Sequence, residues 1–156
     1  MNITEFKHYD TNEGYISLHD CVVTRVNIED NRMFLCFDDG FWVLTEHPEN
    51  DTDKIVKTSY SNLGFDLEES EDSIVYIFEK GLFGRTHRRE CALSDLISRI
   101  NRGTFQLEIL YCYSDCNVRI IECVLRNNKK YYRECVIKIA LSNISFCWNE
   151  LRKEIM

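Results

Sequence analysis

From Ile16 to Leu44 apolar and polar residues alternate with the period of an extended chain. Ile16, Leu18, Val22, Val26 and Ile28 fall on one face, and His19, Cys21, Arg25 and Asn27 on the other. Glu29-Asp30-Asn31-Arg32 reads as a polar turn, and Asp38-Asp39-Gly40 offers the positive φ that a tight hairpin needs. The pattern predicts a three-stranded antiparallel meander that ends near Leu44.

Beyond Thr45 the rhythm changes. Glu46 to Asp53 holds the only proline and reads as a loop, and Ile55 to Tyr60 as a short strand. Leu63 to Ser73 lacks a clean period and, with the acidic run Glu68 to Asp72, reads as a solvated connection. Ile74 to Phe78 is apolar without alternation, which predicts a strand buried on both faces, broken at Gly81 to Gly84. Leu93 to Asn101 predicts a helix. Leu93, Leu96, Ile97 and Ile100 form its apolar stripe, Ser94 is a candidate N-cap, and Gly103 stops it. Strands return over Thr104 to Tyr113, Val118 to Leu125 and Tyr131 to Leu141, with turns at Ser114 to Asn117 and Asn127 to Lys130. Ile144 to Trp148 adds a last strand, followed by a short helix over Asn149 to Ile155. The sum is one mainly β (α+β) domain over residues 1–156. Antiparallel meander and hairpin units form a sandwich or a partly open barrel, with one short helix around residues 94 to 102 packed on the sheet.

Composition narrows the class of function. A length of 156 residues with 44% apolar content suffices for one self-supporting core. No apolar run is long enough to cross a bilayer, and the first residues lack a signal peptide's basic and apolar regions, so the expectation is a cytoplasmic protein without a membrane role. In that compartment the eight cysteines are expected to be reduced, with Cys36, Cys112, Cys123 and Cys135 inside strand-like runs and no Cys-x-x-Cys pair. A net charge of −7 argues against nucleic acid, which requires a basic face, and suits a partner with a basic patch.

Several residues could carry chemistry. His19-Asp20-Cys21 contains a base, a carboxylate and a nucleophile, but only His19 and Cys21 share a strand face, about 7 Å apart, with Asp20 pointing away. His87, Cys91, Cys112 and Cys116 are candidate zinc ligands, without the close pairing of a zinc knuckle. Arg85, His87, Arg88 and Arg89 form the only basic cluster, either a clamp for phosphate or carboxylate or a solvated loop answering the acidic stretches. Asp38-Asp39 lacks the spaced oxygens of a calcium loop. Trp42 and Phe34 are candidate binding aromatics on one exposed face, opposite Met33, Leu35 and Phe37. No cofactor is implied.

Leu18-His19-Asp20-Cys21, the Val-x-x-Val spacing that follows, and Asp39-Gly40-Phe41-Trp42 resemble the opening hairpins of a group of small uncharacterised, β-rich bacterial proteins common among Firmicutes. Phe146-Cys147-Trp148-Asn149 echoes the same group. The resemblance implies a β-rich fold and brings no activity, cofactor or catalytic residue. The leading functional expectation is therefore a non-catalytic cytoplasmic module that binds another protein, or a second copy of itself as a homodimer. An immunity- or antitoxin-like protein masking a basic toxin surface is its specific form. The competing classes are a small enzyme using His19 with Cys21 or His87 with Cys91, and a β-barrel holding an apolar ligand in a cavity of several hundred Å³.

Overall fold

A computed structural model describes residues 5–68, 73–128 and 132–152. At one end of the larger strand order lies a hairpin that the sequence pattern anticipates. Strands β4 (Arg25–Glu29) and β5 (Arg32–Phe37) pair antiparallel with Glu29 opposite Arg32. Asp30 and Asn31 between them take φ of 48° and 62°, the left-handed pair that a two-residue hairpin turn requires. Short polar side chains tolerate that region better than most.

The rest of the predicted meander is dispersed. Strands β2 (Ile16–Ser17), β6 (Trp42–Val43) and β7 (Val56–Lys57) form a small sheet of their own. The turn at Gly40 exists, with φ of 75° and its N–H donated to the Phe37 carbonyl. It does not fold β6 back on β5, however, because Phe41 donates its N–H to Thr58 Oγ1 at 3.0 Å and is drawn out of the sheet. Asp20, with φ of 59°, likewise detaches β3 (Cys21–Val23), which pairs with β11 (Gln106–Asp115) instead. An irregular Thr24 then shifts the alternation by one residue. Cys21, Val23 and Val26 are buried, whereas Ile28 is exposed.

The principal architecture is organised by β13 (Tyr132–Trp148), a 17-residue strand shared by two sheets. Its first half lies between β12 (Val118–Arg126) and β9 (Ile74–Lys80). After a register slip between Leu141 and Asn143, its second half lies between β8 (Ser61–Leu67) and β1 (His8–Asp10). One sheet therefore runs β3-β11-β12-β13-β9-β10, with β10 spanning Thr86–Cys91, and the other β1-β13-β8-β5-β4. All these pairings are antiparallel. The sheets do not close into a barrel, and their inner faces share one core that includes Met33, Leu63, Phe65, Leu107, Ile121 and Ile137.

Helix α1 (Leu93–Asn101) covers this core with Leu96 and Ile100 buried, as the apolar stripe predicts. Its N-cap is Ala92 rather than Ser94, without a side-chain cap bond. At its C-terminal end Asn101 accepts the Val26 N–H and donates to the Val26 carbonyl, both at 2.8 Å, which protects the outer edge of β4. The apolar space left between helix and sheets is ≈ 20 Å³, far below the roughly 300–1,000 Å³ of ordinary small-molecule pockets. The barrel that the ligand-binding expectation named is not formed, since the sheets stay open.

Three further expectations are corrected. Ser61–Leu67 is an interior strand rather than a connection: Leu63 and Phe65 face the core, while Asn62, Gly64 and Asp66 alternate with them. β9 is not buried on both faces, since Val75 and Ile77 are buried and Tyr76 and Phe78 only partly so. Residues 149–152 are not helical, and Leu151 forms a β-bridge with Thr58. The remainder of the expected terminal helix lies outside the described residues, as do the acidic residues 69–72 and turn residues 129–131.

Candidate functional site

The basic cluster read as a solvated loop is an edge strand. β10 pairs with β9 from Thr86 opposite Lys80 to Cys91 opposite Val75, and its other edge carries no strand among the described residues. β9 in turn pairs with β13 only over Ile74–Phe78, so the distal part of the hairpin projects past the sheet. Gly81 and Arg85 close its tip, with the Gly81 N–H donated to the Arg85 carbonyl at 2.7 Å. The His87 ring occupies the space that a Cβ on residue 81 would need, which favours glycine there.

Along the strand the basic groups are tethered differently. The Arg88 guanidinium lies 4.7 Å from the centre of the Tyr76 ring, a cation–π distance, and Arg89 Nη2 is 3.3 Å from Glu79 Oε1. Thr86 to Glu90 are all exposed. At the tip Leu82 is 86% and Phe83 100% exposed, and Phe83 has φ of 69°. Sequence reading passed over these two apolar residues as part of a break. The usable signal was two large apolar side chains between two glycines, where a turn is normally polar.

His19 and Cys21 do not form a pair. His19 Nδ1 donates to the Leu110 carbonyl at 2.7 Å, its ring tilts against Tyr111, and Nε2 lies 3.5 Å from Asp20 Oδ2. Cys21 points inward, with its thiol near the Ser17 and His19 carbonyls. Burial pushes that thiol up to about 11, with the Lys57 charge opposing in part. A buried protonated thiol is not a nucleophile that His19 can activate.

The candidate zinc ligands are likewise apart. His87 and Cys91 are four residues apart on one strand, about 13 Å. Cys112 and Cys116 belong to β11 and its turn, four strands away in the sheet order, a separation of roughly 19 Å. Among the described residues no three metal-binding side chains converge.

Trp42 and Phe34 do not share a surface. Trp42 sits in the small sheet beneath the Lys57 ammonium at 5.0 Å, and Phe34 lies over Gly64 beneath the Arg32 guanidinium at 5.2 Å. Asp39 is held by Lys57 and Arg152, each at 2.6 Å, and the Lys57 hydrogen bond in particular keeps its carboxyl below the usual range.

The loop around the single proline is more ordered than a sequence reading implies. His47 is buried, donates to Asp10 Oδ2 at 2.7 Å and accepts the Glu49 N–H. Asn50 donates to the carbonyls of Val43, Leu44 and Lys54. Glu46, Glu49, Asp51 and Asp53 stand exposed on this framework.

These features define a mainly antiparallel β protein of two sheets on a shared strand, carrying a projecting basic hairpin with an apolar tip. No protein-family model matches the chain, and no curated protein and no solved structure matches it. No helix among the described residues is long and apolar enough to cross a membrane.

Proposed function

We propose that this protein is a non-catalytic, cytoplasmic binding module that receives an extended acidic segment of another protein along the β9–β10 hairpin. The observation that carries the reading is the fully exposed Phe83 on an arm that bears Arg85, Arg88 and Arg89 and whose outer strand has a free edge among the described residues. Strand addition would satisfy the unpaired backbone groups of β10. Phe83 and Leu82 would bury apolar surface, and Arg85, Arg88 and Arg89 would select acidic side chains and speed encounter. On a chain of net charge −7 this patch has the opposite sign to the molecule as a whole, which favours an acidic partner at this one place.

A second copy is less well suited to the same edge. Antiparallel pairing of two β10 strands about Arg88 or Arg89 places guanidinium opposite guanidinium, which is repulsive. Arginines on an edge already discourage such pairing. The direct test is an amide-shift titration of the nitrogen-15-labelled protein with an unlabelled peptide of alternating glutamate and valine. Saturable shifts confined to residues 81–91 are expected. Shifts spread over both sheets, or none, would refute the reading.

The immunity- or antitoxin-like form rests on a different observation, the acidic loop 45–54 held rigid by Asn50 and His47. A preorganised array of carboxylates suits a basic protein surface. In that form, charge reversal in the loop abolishes binding and protection, whereas reversal of Arg88 and Arg89 leaves both intact.

A further inference from the structure

Between the β2–β3 connection and the β11–β12 hairpin lies a cleft of ≈ 450 Å³ that the docking reading does not use. It runs from the surface beside His19 down to Phe146 in the core, with Ile16 and Leu18 on its walls. Its volume falls within the range of small-molecule sites. The informative residue is Arg119. Apart from the imidazole of His47, it is the only ionisable side chain of lysine, arginine, aspartate, glutamate or histidine type buried among the described residues, at 6% exposure.

A buried guanidinium has five N–H donors to satisfy. Arg119 Nη2 pairs with Glu13 Oε1, and Nη1 reaches only the Cys112 sulfur at 3.6 Å, a weak acceptor. Nε is buried with no acceptor. Glu13 comes from a one-turn 3-10 helix at the surface, Glu13–Tyr15, and its side chain is 39% exposed. The fork is thus under-satisfied, and its single carboxylate partner belongs to a segment facing solvent.

We infer that the cleft is a binding site for a small monocarboxylate with a short apolar body. The carboxylate exchanges with Glu13 on Arg119, and the apolar body lies against Ile16, Leu18 and Phe146. Two carboxylate oxygens match a guanidinium fork in bidentate fashion. A phosphate dianion suits the cleft poorly, since it would meet one arginine, a nearby glutamate and apolar walls. Glu13 acts as a resident competitor that keeps the buried cation paired in the absence of ligand.

The test follows the Arg119 Nε–Hε resonance by nitrogen-15 NMR while sodium hexanoate is added to the full chain. Wild type is expected to show a saturable shift, with sodium acetate weaker and inorganic phosphate without effect. Glu13→Gln removes the competitor from a solvent-facing segment, and its amide spectrum reports that the fold is kept. If Glu13 holds the fork nine-tenths of the time, the variant binds hexanoate roughly tenfold more tightly. A shift linear in concentration, unchanged or weakened binding in Glu13→Gln, or a phosphate response equal to that of hexanoate would overturn the inference.

Discussion

Asn101→Ala tests how the helix closes the core. The Asn101 amide makes two hydrogen bonds of 2.8 Å to the Val26 N–H and carbonyl on the outer edge of β4. Each such bond is worth about 0.5–1.5 kcal/mol net, so their loss costs roughly 1–3 kcal/mol, before any penalty for backbone groups left poorly solvated. For a domain of this size that corresponds to a fall in Tm of about 2–12 °C. The alanine itself favours the helix by a few tenths of a kcal/mol, far too little to compensate. Asn101→Asp keeps the acceptor for the Val26 N–H but sets a carboxylate oxygen against the Val26 carbonyl. It should therefore be at least as destabilising as alanine at pH 7. Urea unfolding followed by the fluorescence of buried Trp148 measures both variants. An Asn101→Ala midpoint equal to that of wild type, or an Asn101→Asp variant as stable as wild type, would refute the edge-clamp account.

Other outcomes follow from the same structure. The Cys21 thiol is raised from 9.0 to about 11, so above pH 9 the unfolded chain releases a proton that the folded chain keeps. Its stabilisation is complete below pH 9 and is lost as pH rises toward 11, by at most about 2.7 kcal/mol. Urea midpoints between pH 8.5 and 10.5 should fall more steeply in wild type than in Cys21→Ala, and equal slopes would count against it. Gly64→Ala places a Cβ 2.7 Å from Ser145 Oγ and 3.1 Å from the Phe34 ring, so a loss of about 1–3 kcal/mol is expected from thermal unfolding. An unchanged Tm would show that this face of β8 has room. Phe83→Ser touches nothing in the folded chain and should leave stability within about 0.5 kcal/mol while weakening partner binding. A marked loss of stability would mean that the tip packs on its own protein.

The sequence was most legible where local chemistry decides. Asp30-Asn31 gives a hairpin because both residues tolerate left-handed φ, and the 93–101 stripe gives a helix because Leu96 and Ile100 recur on one face. Pairing partners were not legible, since alternation defines a strand's faces but not its neighbour. β2, β3 and β6 thus read as one meander although they enter different sheets. β8 was hidden because Asn62, Gly64 and Asp66 alternate with Leu63, Phe65 and Leu67 inside a stretch dominated by later acidic residues. β10 was hidden because an edge strand with exposed faces carries the composition of a loop. Arg119 gave no signal at all: an arginine within a strand is ordinary, and its carboxylate partner, Glu13, lies more than a hundred positions away. The basic cluster was found from its residues, and its apolar tip was readable in Gly81-Leu82-Phe83-Gly84, whereas its free edge emerges only from the fold.

The most direct measurement places p-benzoyl-phenylalanine at position 83 of the full chain in its native host and, separately, at position 46 in the acidic loop, then identifies photocrosslinked products by mass spectrometry. The account predicts one dominant partner from position 83, crosslinked through an acidic extended segment and lost when Arg88 and Arg89 are reversed to glutamate. Crosslinks from position 46 alone, or a product at position 83 that survives the charge reversal, would contradict it.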